Sequence, residues 1–402
     1  MKTVFFTQNV KRGGLDTFII NLISHWPGKE EIVLFCNLSH PGLSELRKKL
    51  SGKATVVAYD FMIAQDIGVK LANFPHIVRL LFRGGFWLLG FPYLILKTTR
   101  MFRCSGASRL MVINGGYPGG DACLAATIGW SLCGLGPRAW HNFHNLVLPY
   151  SANPLRRIKE KIIDWLVARA AAGFVTVSQA CMLTLSARSI LASSDNTFIY
   201  NGIDFNERKP ELVPSCELEL PTGANLILMP AVYEPRKGHS LMIRSMEKII
   251  KHVPEATLLI CGDGNFAEMS EVRCLRDDST AAKHIILQGH RCDLPNLLSI
   301  ADVLVLPSQE QESFGYTVVE AMAAACPVVV TDVGGLPEVV DDGESGYVVS
   351  HTDVDALSEK VILLLQDKRL RRRMGSAGLC RYQQKFTAER MAWDYFNLID
   401  VG

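Results

Sequence analysis

Residues 303–323 read VLVLPSQEQESFGYTVVEAMA. Val303–Leu306 is a short aliphatic run of the kind that forms a strand buried on both faces, and Pro307 ends it. From Gly315 onward the apolar spacing becomes helical, through Val318, Val319 and Met322. A buried strand, a loop and a helix in that order predict one step of a parallel, doubly wound α/β sheet. Glu312 then lies in the loop and Glu320 about a turn and a half inside the helix. Gly315, Tyr316 and Thr317 present backbone N–H groups at a helix start, where an anion is favoured. A carboxylate at Glu320 suits vicinal hydroxyls beside that anion, since it accepts two hydrogen bonds. The plainer alternative is an acidic helix start favoured by the helix dipole.

The same alternation extends in both directions. Leu226–Met229, Thr257–Cys261, His284–Leu287, Pro327–Val330 and Tyr347–Val349 read as strands around it. A second set, Thr3–Thr7, Glu31–Cys36, Thr55–Ala58, Leu110–Ile113, Arg138–Phe143 and Phe174–Val177, occupies the first half. Two Rossmann-like domains are predicted, 1–204 and 205–385, with 386–402 a closing amphipathic helix expected to pack back on the first domain. Glu207–Gly223 carries three prolines and little periodicity, which suits a linker.

The chain has 402 residues, of which 48% are hydrophobic and 20% charged, so disorder and a small disulfide scaffold are excluded. Eleven cysteines, with no C-x-x-C pair, fit a reduced cytoplasmic setting. The N-terminus lacks the apolar core of a signal peptide. The net charge of +2 conceals an asymmetry: residues 1–200 carry 22 Lys+Arg against 10 Asp+Glu, and residues 201–402 carry 20 against 30. A basic half faces anionic lipid or nucleic acid, and no nucleic-acid motif is present, so nucleic acid is not expected as a partner. The longest apolar stretch, Gly84–Leu96, is too short to cross a bilayer. Aromatic residues and cations interleave over about 73–109, with Trp87, Phe91 and Tyr93 among Arg79, Arg83, Lys97, Arg100 and Arg103. That composition suits a segment lying on an anionic membrane face; a core helix with a solvated basic face is the alternative.

Further motifs recur in a fixed order. They are Tyr200-Asn201-Gly202-Ile203-Asp204, Glu234-Pro235-Arg236-Lys237-Gly238-His239, Cys261-Gly262-Asp263-Gly264 and Val333-Gly334-Gly335-Leu336-Pro337-Glu338. With the Glu312–Glu320 segment they make the chain resemble the retaining glycosyltransferases of the GT-B fold, group 4, also called glycosyl transferases group 1. The resemblance implies two Rossmann-like domains facing a central cleft. It implies transfer of a sugar from a nucleoside-diphosphate-sugar to an acceptor hydroxyl with retention, and assigns Glu312, Lys237 and His144 to the reacting centre. Glu312 would contact the donor sugar, Glu320 the ribose and Lys237 the diphosphate, where a fixed cation stabilises charge on the leaving group. Gly13, Gly14, Arg236, Gly262, Gly264, Ser313, Phe314, Gly315, Tyr316 and Thr317 would complete the donor site. The family's Arg a few residues before the lysine is missing here, where Ala231 and Val232 stand, leaving Arg236 as the nearby guanidinium. His141 competes with His144 for the histidine position, and a core histidine is the alternative for either.

No cofactor and no metal is expected; Asp353 and Asp355 read as helix-start acids rather than ligands. The resemblance places UDP-sugar ahead of GDP-mannose as donor; the basic, aromatic first half suggests a lipid-linked or saccharide acceptor at a membrane face, as in bacterial surface polysaccharide assembly (lipopolysaccharide or capsule). The expected location is cytoplasmic, peripheral on the inner face of the membrane. An inactive nucleotide-sugar-binding scaffold and a GT-B epimerase are the competing functions.

Overall fold

The computed structural model describes residues 1–63, 74–75, 82, 85–205, 220–221 and 223–401. Most of the Glu207–Gly223 linker reading and part of the 73–109 segment, including Arg79 and Arg83, fall outside them. The chain divides into two compact units, Met1–Gly202 with Ala388–Gly402, and Ile203–Thr387.

The first unit holds a seven-stranded sheet: β1 Lys2–Gln8, β2 Glu31–Asn37, β3 Thr55–Tyr59, β4 Arg109–Asn114, β5 Ala139–Phe143, β6 Ala171–Thr176 and β7 Asn196–Phe198. Its order is β3-β2-β1-β4-β5-β6-β7, every pair parallel. The second holds six: β8 Asn225–Pro230, β9 Ala256–Cys261, β10 Ile285–Gln288, β11 Val303–Leu306, β12 Val328–Thr331 and β13 Gly346–Val349, in the order β10-β9-β8-β11-β12-β13, again parallel. These are two Rossmann-like doubly wound units. Their inner strands are buried on both faces, which is why they read as unbroken aliphatic runs. The expected strands are all present; β7 has no apolar run and adds an edge strand the reading lacked.

Each sheet reverses its strand order at one place, between β1 and β4 in the first and between β8 and β11 in the second. Loops leaving the carboxyl ends of two such neighbours diverge and leave a crevice, the usual ligand position in open α/β sheets.

The closing helix Ala388–Val401 belongs to the first unit. Met391, Tyr395 and Ile399 are buried; Tyr395 packs edge-on to Phe18 at 5.4 Å and its hydroxyl accepts from Asn142 Nδ2 at 3.0 Å. Over the aromatic segment, a π-turn at Phe86–Gly90 runs into the helix Phe91–Ser105. Phe86, Phe91, Leu94 and Phe102 enter the core, while Leu88, Leu89, Tyr93 and Leu96 stay exposed. The stretch therefore has a buried face and an exposed face that carries apolar side chains. Asp353 caps the helix Val354–Gln366, accepting from Ala356 N at 2.9 Å.

Candidate functional site

The crevice of the second sheet is built from two loops. After β8 the chain forms a tight turn, Pro235–Lys237, and Gly238 closes it with φ +78°. After β11, Pro307 and Ser308 lead to Glu312 and to the helix Tyr316–Ala323. Pairing of β8 with β11 sets the loops side by side, and Gln309 N donates to Arg236 O at 2.7 Å. A Cβ on Gly238 would stand 1.9 Å from Pro307 O, so only glycine allows this approach.

Across this contact Lys237 Nζ meets Glu312 Oε2 at 2.5 Å, with the side chains 13% and 12% exposed. Ser308, itself buried, donates from Oγ to the same carboxylate oxygen at 3.1 Å. Ser308 is held in turn, since its carbonyl accepts from Thr331 Oγ1 at 2.6 Å. Glu312 is fixed from behind as well: Gly335 N donates to Glu312 O at 2.9 Å. Gly334 sits against it at φ +58°, where a Cβ would lie 1.9 Å from Glu312 O. A nearly desolvated cation and carboxylate thus share one orientation fixed by backbone from three loops.

Arg236 lies beside them, half-exposed, donating to Glu234 Oε2 at 2.5 Å and to Gln311 O at 3.1 Å. The helix Tyr316–Ala323 opens at Gly315, φ +95°, and its first internal bond runs from Val318 N to Gly315 O. Tyr316 and Thr317 therefore bring the leading N–H groups of the helix, and Glu320 follows as a buried carboxylate. Three of the expected donor residues have packing roles in the structure. The Phe314 ring is buried between Tyr316 and Phe386, both centroids at 5.7 Å, so it packs the interior and leaves only backbone to a ligand. Gly262 and Gly264 serve loop packing: a Cβ on Gly262 would stand 2.1 Å from Ala231 O, and on Gly264 2.6 Å from Tyr233 Cβ. Ser308, Gly238 and Gly334 were not named as site residues; the two glycines stood in quoted motifs without a role, and a serine after a strand carries no distinguishing pattern.

The remaining expected residues belong to the first unit. Gly13 caps the helix Gly14–Ser24 after β1, and its α-carbon faces open space. His141, on β5, is fully buried, with Nδ1 2.8 Å from Thr127 Oγ1 and Nε2 3.3 Å from Asn114 Nδ2. It is a core histidine. His144, just past the strand end, packs on Phe18 at 4.6 Å; Asn142 Oδ1 lies 3.4 Å from Nδ1 and Asn201 Nδ2 3.3 Å from Nε2. This pairing fits a neutral ring protonated on Nδ1. A sugar contact by His144 would exchange one of these two bonds.

Burial pushes His141 and His144 down to about 3, and burial with the Lys237 ammonium pushes His239 down to about 4. Unfolded histidine titrates near 6.5, so below that pH the unfolded chain binds protons the folded chain excludes. Their contribution to stability is complete above about pH 6.5 and falls as pH drops toward 3, by up to roughly 1.4 kcal/mol per histidine per pH unit. The thermal midpoint should therefore fall between pH 7.5 and pH 5, and His141→Gln should flatten the slope. A midpoint that stays level over this range would contradict the burial of neutral rings. Among the described residues no three His, Cys, Asp or Glu side chains converge as a metal ion requires.

Residues 216–379 match the family model described as Glycosyl transferases group 1. The second unit thus carries the glycosyl transferases group 1 region. The match contains Lys237, the Glu312–Glu320 segment and the glycine turn at Gly334. The chain is 36% identical over 152 residues to the GDP-mannose-dependent alpha-(1-6)-phosphatidylinositol monomannoside mannosyltransferase of Mycolicibacterium smegmatis, covering 36% of this chain and 39% of that protein. It is 32% identical over 154 residues to N-acetyl-alpha-D-glucosaminyl L-malate synthase of Bacillus anthracis, 38% and 39% of the two chains. These alignments span about two fifths of the relatives' length. A longer alignment, 26% identical over 305 residues, reaches the mannosyltransferase of Mycobacterium tuberculosis that bears the same name as the first relative, covering 73% of this chain and 68% of that one. Among solved structures, Anabaena Alr3699/HepE in complex with UDP superposes with a TM-score of 0.75 at 18% identity over the whole of both chains. Group 1 transferases of this architecture have the GT-B fold, and the fold here is GT-B.

Proposed function

We propose that the chain transfers a sugar from a nucleoside-diphosphate-sugar to a hydroxyl of a lipid-linked or saccharide acceptor, retaining the anomeric configuration. The observation that carries this reading is the meeting of Lys237 and Glu312 at the switch point of the second sheet. As the bond between the anomeric carbon and the diphosphate breaks, negative charge grows on the leaving oxygen. The ammonium of Lys237 and the leading N–H groups of Tyr316–Ala323 stabilise it where it forms. Because backbone contacts already fix the lysine, little reorganisation opposes the step. Glu312 holds the sugar hydroxyls, Glu320 the ribose and Arg236 a phosphate oxygen. The acceptor oxygen bonds to the anomeric carbon on the face the diphosphate leaves, and its proton passes to the departing phosphate oxygen. His144, neutral at working pH, hydrogen-bonds and moves no proton. Gly13 and Gly14 leave room for backbone to approach the diphosphate.

Among the described residues no helix is long and apolar enough to cross a membrane. The reading is of a peripheral protein on the cytoplasmic face, with the basic, aromatic 73–109 segment toward lipid. Relatives named for phosphatidylinositol mannosides support a lipid acceptor; surface polysaccharide remains the alternative acceptor class. Their GDP-mannose and the UDP of the structural neighbour support one donor base each.

The test is a panel of UDP- and GDP-sugars. A true donor raises the thermal midpoint, and free nucleoside diphosphate is released with it only when an acceptor is added. Donor binding without turnover on lipid or saccharide acceptors would make the chain a binding protein. Isomerised donor without release would make it an epimerase.

A further inference from the structure

The helix Pro154–Ala170 lies in the first unit and carries seven charged side chains, Arg156, Arg157, Lys159, Glu160, Lys161, Asp164 and Arg169. Its two acids are both turned inward. Asp164 and Glu160 are buried against the fully buried Arg188, whose Nη1 lies 3.3 Å from Asp164 and Nη2 3.1 Å from Glu160. Arg188 Nε also donates to Leu148 O at 2.7 Å, and its guanidinium is stacked on Tyr117 and Tyr150. The helix therefore shows solvent only cations, of which Arg156 alone shares Glu160, at 3.1 Å. Between them stand Leu155, Ile158, Ile162 and Trp165, between 52% and 80% exposed and spaced along one helical stripe. Monomeric soluble proteins avoid such contiguous apolar patches unless something covers them.

A cavity of about 790 Å³ opens beside this helix, within the same unit. Leu88 and Leu155 stand at its rim, Leu124, Ile163 and Trp87 on its walls. Lys159 reaches over the Trp87 ring at 4.0 Å, and burial lowers its pKa. Asp121 and Glu160 also line the cavity, the latter held by Arg188 and Arg156.

We infer that this face, the exposed side of Pro154–Ala170 with Leu88 and Leu89, docks on an anionic lipid bilayer, and that the cavity receives one hydrocarbon chain from it. Cations alone would suit a nucleic acid equally; four exposed aliphatic and aromatic side chains between them suit the headgroup–acyl boundary instead. An apolar chamber rimmed by two leucines gives a chain somewhere to go, and Lys159 stays near the phosphate. The inference deepens the lipid-acceptor reading and rests on it for its biological sense, but its test needs neither donor nor turnover.

Full-length protein is mixed with vesicles of phosphatidylcholine alone or with roughly 30% phosphatidylglycerol, a composition that makes the surface anionic. Binding is expected only with the anionic lipid, weakening as salt rises. Replacing Arg157, Lys161 and Arg169 by Gln should weaken it about a hundredfold, a factor of about five per cation. Ile158→Ser with Ile162→Ser should abolish it while leaving the circular dichroism and melting unchanged, because both side chains are exposed. Phospholipid brominated along the chain should quench Trp165 and Trp87, the loss of quenching in Trp165→Phe and Trp87→Phe assigning each. Equal binding to neutral vesicles, unaltered binding by these variants, or capture by heparin without vesicle binding would overturn the docking face. Quenching undiminished in Trp87→Phe would overturn the cavity assignment. Lys237→Ala should keep vesicle binding while losing transfer, so the two readings fail separately.

Discussion

Lys237→Ala is expected to lower kcat/KM for sugar transfer by about 10²–10³, the loss of roughly 3–4 kcal/mol that follows removal of one fixed group stabilising developing charge. The size follows from how little the lysine is free to move. Its turn is clamped to the β11 loop, its ammonium touches Glu312 at 2.5 Å, and it is 13% exposed. In bulk water the same charge would be screened; here it acts close to the phosphate in a partly desolvated crevice. Lys237→Arg should not rescue it, because a planar guanidinium is larger and needs a different approach to oxygen than a compact ammonium. Stability should change far less than turnover, since Glu312 keeps Ser308 as a partner. A variant that melts like the parent and turns over within a factor of about three of it would remove Lys237 from the reaction.

The second large effect is expected at a residue that acts through Glu312. Gly334→Ala puts a methyl group where Glu312 O lies 1.9 Å away, in a backbone region that L-residues avoid. The neighbour is main chain and cannot swing aside, so Glu312 itself must shift. Overpacking of this kind costs about 1–3 kcal/mol of stability. Displacing a positioned group by an ångström costs about a hundredfold in turnover. Gly343 supplies the control, having φ +78° with nothing within 4 Å of a Cβ. Gly343→Ala should show only the backbone strain, about 1–2 kcal/mol, with turnover unchanged once folded. Equal behaviour of the two variants would contradict the steric account of how Glu312 is held.

Much of the architecture was legible because parallel strands buried on both faces leave unbroken aliphatic runs, as at Val303–Leu306 and Val328–Val330. β7 was not, since Asn196–Phe198 is a half-buried edge strand of three residues without such a run. Lys237 and Glu312 were each named by motif, but their contact spans 75 positions and comes from the pairing of β8 with β11. Local pattern does not record that pairing. Gly238 and Gly334 stood in recognised motifs, but the reason each must be glycine shows only with the neighbouring carbonyl. Phe314 looked like a ligand contact because it sits inside the motif, yet an aromatic ring there satisfies the core first. The helix Pro154–Ala170 shows the same limit from another side. Its sequence mixes acids with bases, and only the burial of Glu160 and Asp164 against Arg188 reveals a one-signed face.

The central claim is that Lys237 holds the diphosphate while Glu312 holds the sugar, the two being paired before substrate arrives. Calorimetric titration of the matching nucleoside diphosphate into the parent, Lys237→Ala and Glu312→Gln proteins tests it most directly. Lys237→Ala should bind it at least tenfold more weakly. Glu312→Gln should bind it as tightly as the parent or more so, because the ammonium no longer shares itself with a carboxylate, yet should fail to transfer sugar. If both variants lose nucleoside diphosphate affinity alike, or neither does, the division of labour between the two side chains is wrong.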